Sequence, residues 1–421
     1  STANDGTVDF TTSSSSITLT ASKFAFISTP SNAYSGYMFN TSGDISLLPW
    51  GSDFSSAHNA TDWSFEKITI LGTPRNVTVG KNSATSTANN YGYYWRASIT
   101  ATGSLKFYSS GFVWMGTTVA LNTTLGASGT LTPNTGILIK TSERYQLSDA
   151  GTLTTSGSDI TVWADSDANG VGAIYFDSNN VITSNGGKIT IGGGLDDGGS
   201  GDMAGRGVGD GYPDGYPSSY SGWQYTTGGQ VAGLWLRVGF QILSGGGDIS
   251  LAGKDNPVVG ADSTGLYMQG GIVYAGSGKI AMYGTTGTGC TNNWHAAIIT
   301  GDGATTSLIS TSSASDAIYM RGNTSTCNNA GSVYANAVRG SNGWTYVAAP
   351  NGGGVKISGI QGNASYGQGD TNASNRYESN ILTLNYYQVI ANSGPINITA
   401  TKATTSATWG VRFSTLGVLT S

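Results

Sequence analysis

The chain has 421 residues, of which only 10% are charged, and 19 Lys and Arg against 24 Asp and Glu give a formal net charge of −5. Its 64 glycines come with only nine prolines and no Gly-X-Y period, which excludes collagen, and its 43 aromatic residues (10 Trp, 22 Tyr and 11 Phe) exclude a disordered chain. The acidic balance argues against nucleic acid as a partner, and no apolar run exceeds four residues, so no membrane insertion is expected. Glu occurs only three times, which leaves too few helix formers, so strands must form the fold.

A short phrase of glycine, a polar residue and then alternating apolar and polar residues recurs along the chain, with serine replacing glycine in one copy. Each copy alternates over about five residues, which predicts a short strand with one buried face. The copies lie at 43–47, 103–107, 158–162, 187–191, 247–251, 278–282, 354–357 and 394–398.

The fullest copies belong to a larger unit of three short strands separated by Asn, Ser and Gly turns. The units lie at 173–191, 234–251, 266–282 and, in a weaker form, 381–398. Three strands in about 25 residues make one turn of a right-handed parallel β-helix, in which each strand pairs with its equivalent in the next turn. We therefore expect an all-β fold, a β-solenoid with loop insertions. A β-sandwich or a β-propeller is the alternative, although neither matches so short a unit.

The repeat is more regular in the C-terminal part of the chain than in the N-terminal part, so the chain is divided into two regions. Residues 1–150 are predicted to form an irregular N-terminal part of the solenoid, with more Trp and longer Ser/Thr stretches. Residues 151–421 are predicted to form the regular turns, with a Gly-, Tyr- and Asp-rich loop insertion at about 192–232.

The repeat also has a family likeness. The phrase Gly-Gly-Asp/Lys-Ile-x-Leu/Ile-x-Gly, after a short strand and a Ser/Asn-Gly turn, is most complete at 243–253. It resembles the repeats of filamentous-haemagglutinin-type proteins, the giant secreted β-solenoid adhesins of Gram-negative bacteria, and 156–197 and 233–289 carry the resemblance best. The resemblance implies a secreted, extracellular or cell-surface protein of a Gram-negative bacterium that acts in adhesion, with cell-surface or matrix glycans as partners.

Cys290 and Cys327 are the only cysteines, and each is followed closely by Asn-Asn in aligned phrases. We expect them on equivalent loops of neighbouring turns, joined by a disulfide, which implies an oxidising compartment outside the cytoplasm. Two buried free thiols are one alternative. The other alternative is a metal site, which would need more ligands than the two cysteines provide.

Asp165, Asp167 and Asn169 form a D-x-D-x-N-G sequence. This spacing puts alternate side-chain oxygens on one side of a tight loop, as calcium requires. Phe176 stands where an EF-hand has its Glu. A calcium turn and a plain Asx turn between two strands therefore both fit, and calcium is the only cofactor that the sequence suggests.

Closely spaced aromatic and acidic residues fill the insertion at about 192–232. The candidate contact residues are Tyr212, Tyr216, Tyr220, Trp223, Tyr225, Asp210 and Asp214. Aromatic faces beside carboxylates suit a sugar-binding or protein-binding surface. The alternative is that the loop folds over the rod and its aromatic residues cover exposed strands.

The sequence contains few features that would support catalysis. His58 and His295 are the only histidines and lie in no catalytic motif, and His295 is expected at the edge of a turn with local hydrogen bonds. The favoured function is an extracellular structural and adhesive β-solenoid that is not an enzyme.

Two other functions stay open. The segments 409–413 and 417–419 have the pattern of the first two strands of a further turn, which would be uncapped. Two hypotheses explain an uncapped turn. The chain is a segment of a longer protein, or it is a self-assembling filament or sheath subunit that stacks end to end on its own copies. A polysaccharide-binding or polysaccharide-degrading β-helix would need carboxylates clustered on one face.

Overall fold

The computed structural model is a parallel β-helix. It describes residues 8–21, 37–54, 65, 68–82, 92–126, 135–168, 172–195, 201–203, 231–255, 263–287, 294–327, 334–361, 381–402, 410–414 and 418–420. Apart from one turn of 3-10 helix, η1 (Gly201–Met203), all regular elements of these residues are strands. Within these ranges, no helix is long and apolar enough to span a bilayer.

The strands fall into three long sheets and one short N-terminal sheet. Sheet 1 contains β7 (Tyr93–Trp95), β10 (Val113–Met115), β13 (Arg144–Leu147), β16 (Ala173–Phe176), β19 (Val231–Leu236), β22 (Ser263–Met268), β25 (Trp294–Thr300), β28 (Tyr334–Gly340), β31 (Leu382–Asn385) and β34 (Val411–Ser414). Sheet 2 contains β8 (Ile99–Ala101), β11 (Ala120–Gly126), β14 (Thr152–Ser156), β17 (Val181–Thr183), β20 (Phe240–Leu243), β23 (Gly271–Gly276), β26 (Thr306–Ser310), β29 (Thr345–Ala348), β32 (Tyr387–Ile390) and β35 (Val418–Thr420).

Sheet 3 contains β2 (Ile17–Ala21), β4 (Ile45–Pro49), β6 (Val77–Val79), β9 (Leu105–Ser109), β12 (Thr135–Thr141), β15 (Asp159–Ala164), β18 (Ile189–Gly193), β21 (Ile249–Lys254), β24 (Ile280–Thr285), β27 (Ile318–Thr324), β30 (Val355–Gln361) and β33 (Ile396–Lys402). The N-terminal sheet contains β1 (Val8–Thr11), β3 (Tyr37–Asn40) and β5 (Ile68–Leu71).

Every turn from β7 to β33 contributes one strand to each long sheet, in the order sheet 1, sheet 2, sheet 3. Neighbouring strands in each sheet pair in parallel with the equivalent strand one turn away, as β16 does with β13 and β19. The sheets do not close into a barrel, and the predicted parallel β-helix is confirmed. Twelve strands of sheet 3, spaced by about 4.8 Å, give a rod roughly 50 Å long.

Columns of aliphatic side chains run through the centre of the rod. In sheet 3 the first inward residue of each repeat stacks in register from Ile45 to Val355, and all ten members are fully buried. The column contains Ile45, Val77, Leu105, Ile137, Ile160, Ile189, Ile249, Ile280, Ile318 and Val355. Because a single turn could not bury this face alone, the hydrophobic effect makes each turn depend on its two neighbours.

Glycine occurs at the start of the repeated phrase because no side chain fits there. A Cβ atom built on Gly247 would overlap the carbonyl oxygen of Gly187 in the preceding turn, and one on Gly278 would overlap that of Gly247. The backbones of successive turns therefore approach each other too closely at this corner for any side chain.

Most of the long connections lie between sheet 3 and the next strand of sheet 1. The connection from β18 to β19 comprises residues 194–230, whereas the connections within the turn of β16 to β18 comprise only 177–180 and 184–188. The predicted insertion therefore leaves and re-enters the rod at this corner.

Candidate functional site

The described part of the suspected calcium turn forms a tight turn after β15. Asp165 is fully buried and has a φ of 53°, and its carbonyl oxygen accepts the N–H of Ala168 at 3.0 Å. Asn169 lies outside the described residues, among which no group of three or more His, Cys, Asp or Glu side chains could hold a metal ion. Calcium binding at Asp165, Asp167 and Asn169 stays a prediction.

Of the Gly-, Tyr- and Asp-rich insertion at about 192–232, only residues 192–195, 201–203 and 231–232 are described. The candidate contact residues Tyr212, Tyr216, Tyr220, Trp223, Tyr225, Asp210 and Asp214 all lie outside the described residues. In η1, Met203 is fully buried against Trp163 and Tyr283 on the outer face of sheet 3, and Asp202 forms an ion pair with Arg321 of β27. This piece of the insertion is therefore packed onto the rod, and the contact role of the other residues stays a prediction.

Cys327 follows β27 and is fully buried. Its N–H donates to the carbonyl oxygen of Thr324 at 3.0 Å. Cys290 lies outside the described residues, so the pairing of these two cysteines stays a prediction.

The outer face of sheet 1 carries a row of aromatic side chains that the sequence reasoning missed. We call it the outer aromatic column, and it consists of Tyr94, Trp114, Tyr175, Trp235 and Tyr267. Each residue lies between two inward-facing apolar residues of a short strand, as Trp114 does between Val113 and Met115. An aromatic residue between two apolar ones, repeated in five strands of sheet 1, is the sequence signal that would have found it. Gln146 of β13 interrupts the row, because it lies in register between Trp114 and Tyr175.

Most side chains of this column are buried and pack against one another between successive turns. Tyr175, Trp235 and Tyr267 are at most 5% exposed and form an apolar cluster separate from the central core. The Trp235 ring lies 5.4 Å from the Tyr175 ring, edge-on, and 5.3 Å from the Tyr267 ring. At the strand end, Arg237 Nη1 donates to Asp177 Oδ1 at 2.8 Å. Burial raises the pKa of Asp177 although Arg237 opposes the change.

The column opens to solvent at Trp114, which is partly exposed and lines a pocket of about 240 Å³. This Trp114 pocket is lined by Tyr94, Arg96, Trp114, Gly116, Thr117 and Ser148. Trp114 Nε1 donates to Ser148 Oγ at 2.6 Å, and the Tyr94 ring lies 4.7 Å from the indole at an interplanar angle of 41°. These two contacts hold the indole in one orientation, so its wall of the pocket is preorganised.

The rim of the Trp114 pocket carries a cation. Arg96 is exposed and is the one charged residue among the six that line the pocket. Gly116 permits its position, because a Cβ on Gly116 would lie 2.9 Å from Arg96 Cγ, and the Gly116 N–H donates to the carbonyl oxygen of Trp95 at 2.8 Å. The stem of Arg96 therefore lies across the turn that follows β10.

A second arginine lies near the indole ring. Arg144 is 5% exposed, and its Cζ atom lies 6.0 Å from the centroid of Trp114 and 5.9 Å from that of Phe112. Guanidinium groups at this distance are attracted to the faces of aromatic rings. The pocket thus combines a fixed indole, hydroxyl groups and a guanidinium, a set that suits binding a small polar ring.

No protein-family model, curated protein or solved structure matches this chain. A function therefore has to be argued from the β-helix and from the chemistry of the Trp114 pocket.

Proposed function

We propose that this chain is an extracellular, adhesive β-solenoid, a stiff rod that acts by contact and not by catalysis, and that it binds glycans through the Trp114 pocket. The observation that carries the proposal is the partly exposed indole of Trp114, held by Ser148 and Tyr94 in a pocket with a polar rim.

The chemistry of the pocket favours a saccharide. A sugar ring has an apolar face of C–H groups, which packs against an aromatic ring, and an edge of hydroxyls, which needs hydrogen bonds. Trp114 supplies the aromatic wall, while Thr117 and Arg96 are exposed polar groups at the rim. Binding pockets combine apolar walls with a few polar groups in this way, and a wall that is already ordered lowers the entropic cost of binding.

The rest of the molecule suits an adhesive rod. Stacked parallel strands make a stiff body that displays loops and pockets along its sides, and its 10% content of charged residues leaves a mostly neutral polar coat. The resemblance of the repeats to filamentous-haemagglutinin-type adhesins supports a secreted, cell-surface role in a Gram-negative bacterium, outside the cytoplasm.

Binding of the purified chain to a glycan array, followed by calorimetry on the glycans that are retained, tests this proposal. Trp114→Ala should weaken binding by roughly tenfold or more, because truncation removes the aromatic wall. Trp50→Ala is the matched control, since Trp50 is 77% exposed and does not line the pocket. Retention of no glycan, or equal binding by both variants, would overturn the proposal.

A further inference from the structure

We propose that the outer face of β23, β26, β29 and β32 is a second binding surface, separate from the Trp114 pocket, and that it binds an uncharged polysaccharide whose chain is extended and β-linked. We call this surface the sheet 2 face. The inference goes beyond the proposed function, because it concerns another surface and another class of ligand.

The outward side chains of the sheet 2 face are uncharged and mostly apolar. The inward residues of its strands, such as Val273 and Val347, are fully buried in the core, and alternate residues of a strand point to the opposite face. Tyr274 is 36% exposed and Tyr346 is 37% exposed. The outward residues, all at least partly exposed, are Ile272, Tyr274, Ser307, Ile309, Tyr346, Ala348, Gln388 and Ile390.

The fold does not require apolar residues at these positions. In turns nearer the N-terminus, the column that contains Tyr274 has short polar residues, namely Asn122, Thr154 and Thr183. An outward position of sheet 2 therefore accepts a polar side chain without loss of the β-helix. Contiguous apolar surface that folding does not demand is typical of an interaction site.

Three aromatic rings pack together at one side of the sheet 2 face. The Trp344 ring lies 6.1 Å from the Tyr346 ring, with 23° between their planes, and 5.8 Å from the Tyr386 ring, with 71° between their planes. Trp344 directly precedes β29 and Tyr386 directly precedes β32, so the parallel pairing of these strands puts the two rings side by side. All three rings are partly exposed, and a surface that is already ordered lowers the entropic cost of binding.

Aromatic rings beside small polar groups suit a saccharide. The C–H face of a pyranose packs against an aromatic ring, while its hydroxyls need hydrogen bonds. Ser307 and Gln388 lie on either side of Tyr346 in the adjacent strands, and they provide a hydroxyl and an amide. Because aromatic residues occur from Tyr274 of β23 to Tyr386 beside β32, the face suits several sugar rings of one extended chain.

The charges beside the sheet 2 face favour an uncharged ligand. On the side of sheet 3, Lys279 Nζ pairs with Asp316 Oδ1 at 2.7 Å. On the side of sheet 1, Asp302 accepts a hydrogen bond from the hydroxyl of Tyr267, and Arg339 lies close enough to act on the same tyrosine through its charge. Both sides therefore carry charges of both signs, so a charged polysaccharide gains no net electrostatic attraction.

The area of the sheet 2 face is too small for a stable dimer of this chain. Four strands and three outward positions on each strand cover about 14 Å by 13 Å, which is roughly 200 Å². A stable protein interface buries about 800 Å² on each partner. A polysaccharide fibre does not need this area at one contact, because it presents many equivalent sites along its length.

Retention of the purified chain on insoluble polysaccharides tests the inference. The probes are cellulose and chitin, whose β-linked chains are extended and uncharged, and starch granules, whose α-linked chains coil. At least one of the first two should retain the chain, and starch should retain less of it. Sodium chloride at about 1 M should not release the bound chain, because salt screens only interactions between charges.

Tyr346→Ala and Ser307→Arg should each weaken this retention roughly tenfold or more. The first variant removes an exposed ring, and the second puts a long charged side chain onto the face while every packed ring stays in place. Ser307→Arg therefore decides the outcome if Tyr346→Ala also lowers the melting temperature. Trp50→Ala is the matched control and should keep full retention, since Trp50 is 77% exposed and follows β4 of sheet 3.

Four results would overturn the inference. They are no retention on cellulose or chitin, full retention of Ser307→Arg, tighter retention on an acidic polysaccharide such as alginate, and a different occupant of the face. A different occupant would be shown by a dimer in analytical ultracentrifugation, or by binding to phosphatidylcholine vesicles, that is lost in Ser307→Arg.

This inference and the proposed function fail separately. Trp114→Ala should leave retention on cellulose or chitin unchanged, and Ser307→Arg should leave binding to the soluble glycans of the array unchanged. If Trp114→Ala abolishes retention and Ser307→Arg does not, the pocket binds the polysaccharide and only this inference falls. If the chain is retained on cellulose or chitin but binds no soluble glycan, only the role of the pocket falls.

Discussion

His295 Nδ1 lies 3.2 Å from Asp255 Oδ2, and the two side chains are 1% and 0% exposed. Asp255 lies between β21 and β22, whereas His295 is the second residue of β25, the strand that pairs with β22 one turn further along the rod. The same carboxylate accepts the N–H of Gly287 through Oδ1 at 2.5 Å, and the Asp255 N–H donates to the carbonyl oxygen of Thr285 at 3.0 Å. One aspartate thus joins two adjacent turns at the corner between sheets 3 and 1 through three separate contacts.

Asp255→Ala should destabilise the protein by roughly 3 kcal/mol, because it leaves buried donors without their acceptor. Urea unfolding followed by circular dichroism measures the change. Asp316→Ala is the control, since Asp316 pairs with Lys279 at 2.7 Å but is 49% exposed, and such pairs contribute about 0–1 kcal/mol. Equal destabilisation by the two variants would contradict the structural role of Asp255.

Asp53 is expected to make stability depend on pH. Burial raises its pKa to about 6, although its carboxylate accepts the N–H groups of Phe54 at 2.9 Å and Ser110 at 3.0 Å. The ordinary pKa of Asp is about 3.9, so folding favours the protonated form. The stability contribution of Asp53 is then fully present below about pH 4 and is lost as the pH rises through about 6.

The Asp53→Asn variant isolates this effect, because Asn stays neutral at every pH. Its unfolding free energy relative to wild type should rise between pH 4 and pH 7 by roughly 2–3 kcal/mol. Thermal or urea unfolding at a series of pH values gives this difference. A difference that does not change with pH would show that Asp53 titrates as an exposed carboxyl group does.

Gly247→Ala should destabilise the stack by roughly 2 kcal/mol or more, because the new Cβ would overlap the backbone of Gly187 and force the two turns apart. Gly51→Ala is the matched control, since Gly51 is exposed and its added Cβ would meet its nearest atom only at 4.0 Å. That variant should change the unfolding free energy by less than about 1 kcal/mol. A similar melting temperature for both variants would contradict the steric explanation of the repeated glycine.

The predicted disulfide between Cys290 and Cys327 can be tested chemically. Under denaturing, non-reducing conditions neither cysteine should react with iodoacetamide, and both should react after reduction. Reduction should lower the unfolding free energy by up to about 4 kcal/mol, the value expected for a closed loop of roughly this length. Two reactive thiols before reduction would rule out the pairing and, with it, this argument for an oxidising compartment.

The strands of the regular turns could be predicted closely. The expected strands in 173–191 correspond to β16, β17 and β18, because alternation of apolar and polar residues is visible within five residues. The outer aromatic column was missed for the opposite reason. Tyr175 and Trp235 are 5% and 4% exposed on a face that points away from the core, and burial on that face depends on packing between turns.

The Trp114 pocket could not be found from the sequence either. Ser148, which orients the indole, is 34 residues further along the chain, and the cation comes from the preceding turn. No motif joins these residues, since the connections between turns vary in length. A fixed sequence spacing therefore does not identify which residues share a corner.

The sequence by itself determined the all-β class, the three-strand turn and the stacking of equivalent strands. The reason is that a repeated unit of three short strands, too short for a propeller blade, buries its apolar face against its own copy. Only the tertiary structure decided which side chains of successive turns meet, as His295 and Asp255 do across 40 residues. Parallel stacking brings distant residues to the same height and side of the rod, and the register that aligns them is set by packing between whole turns.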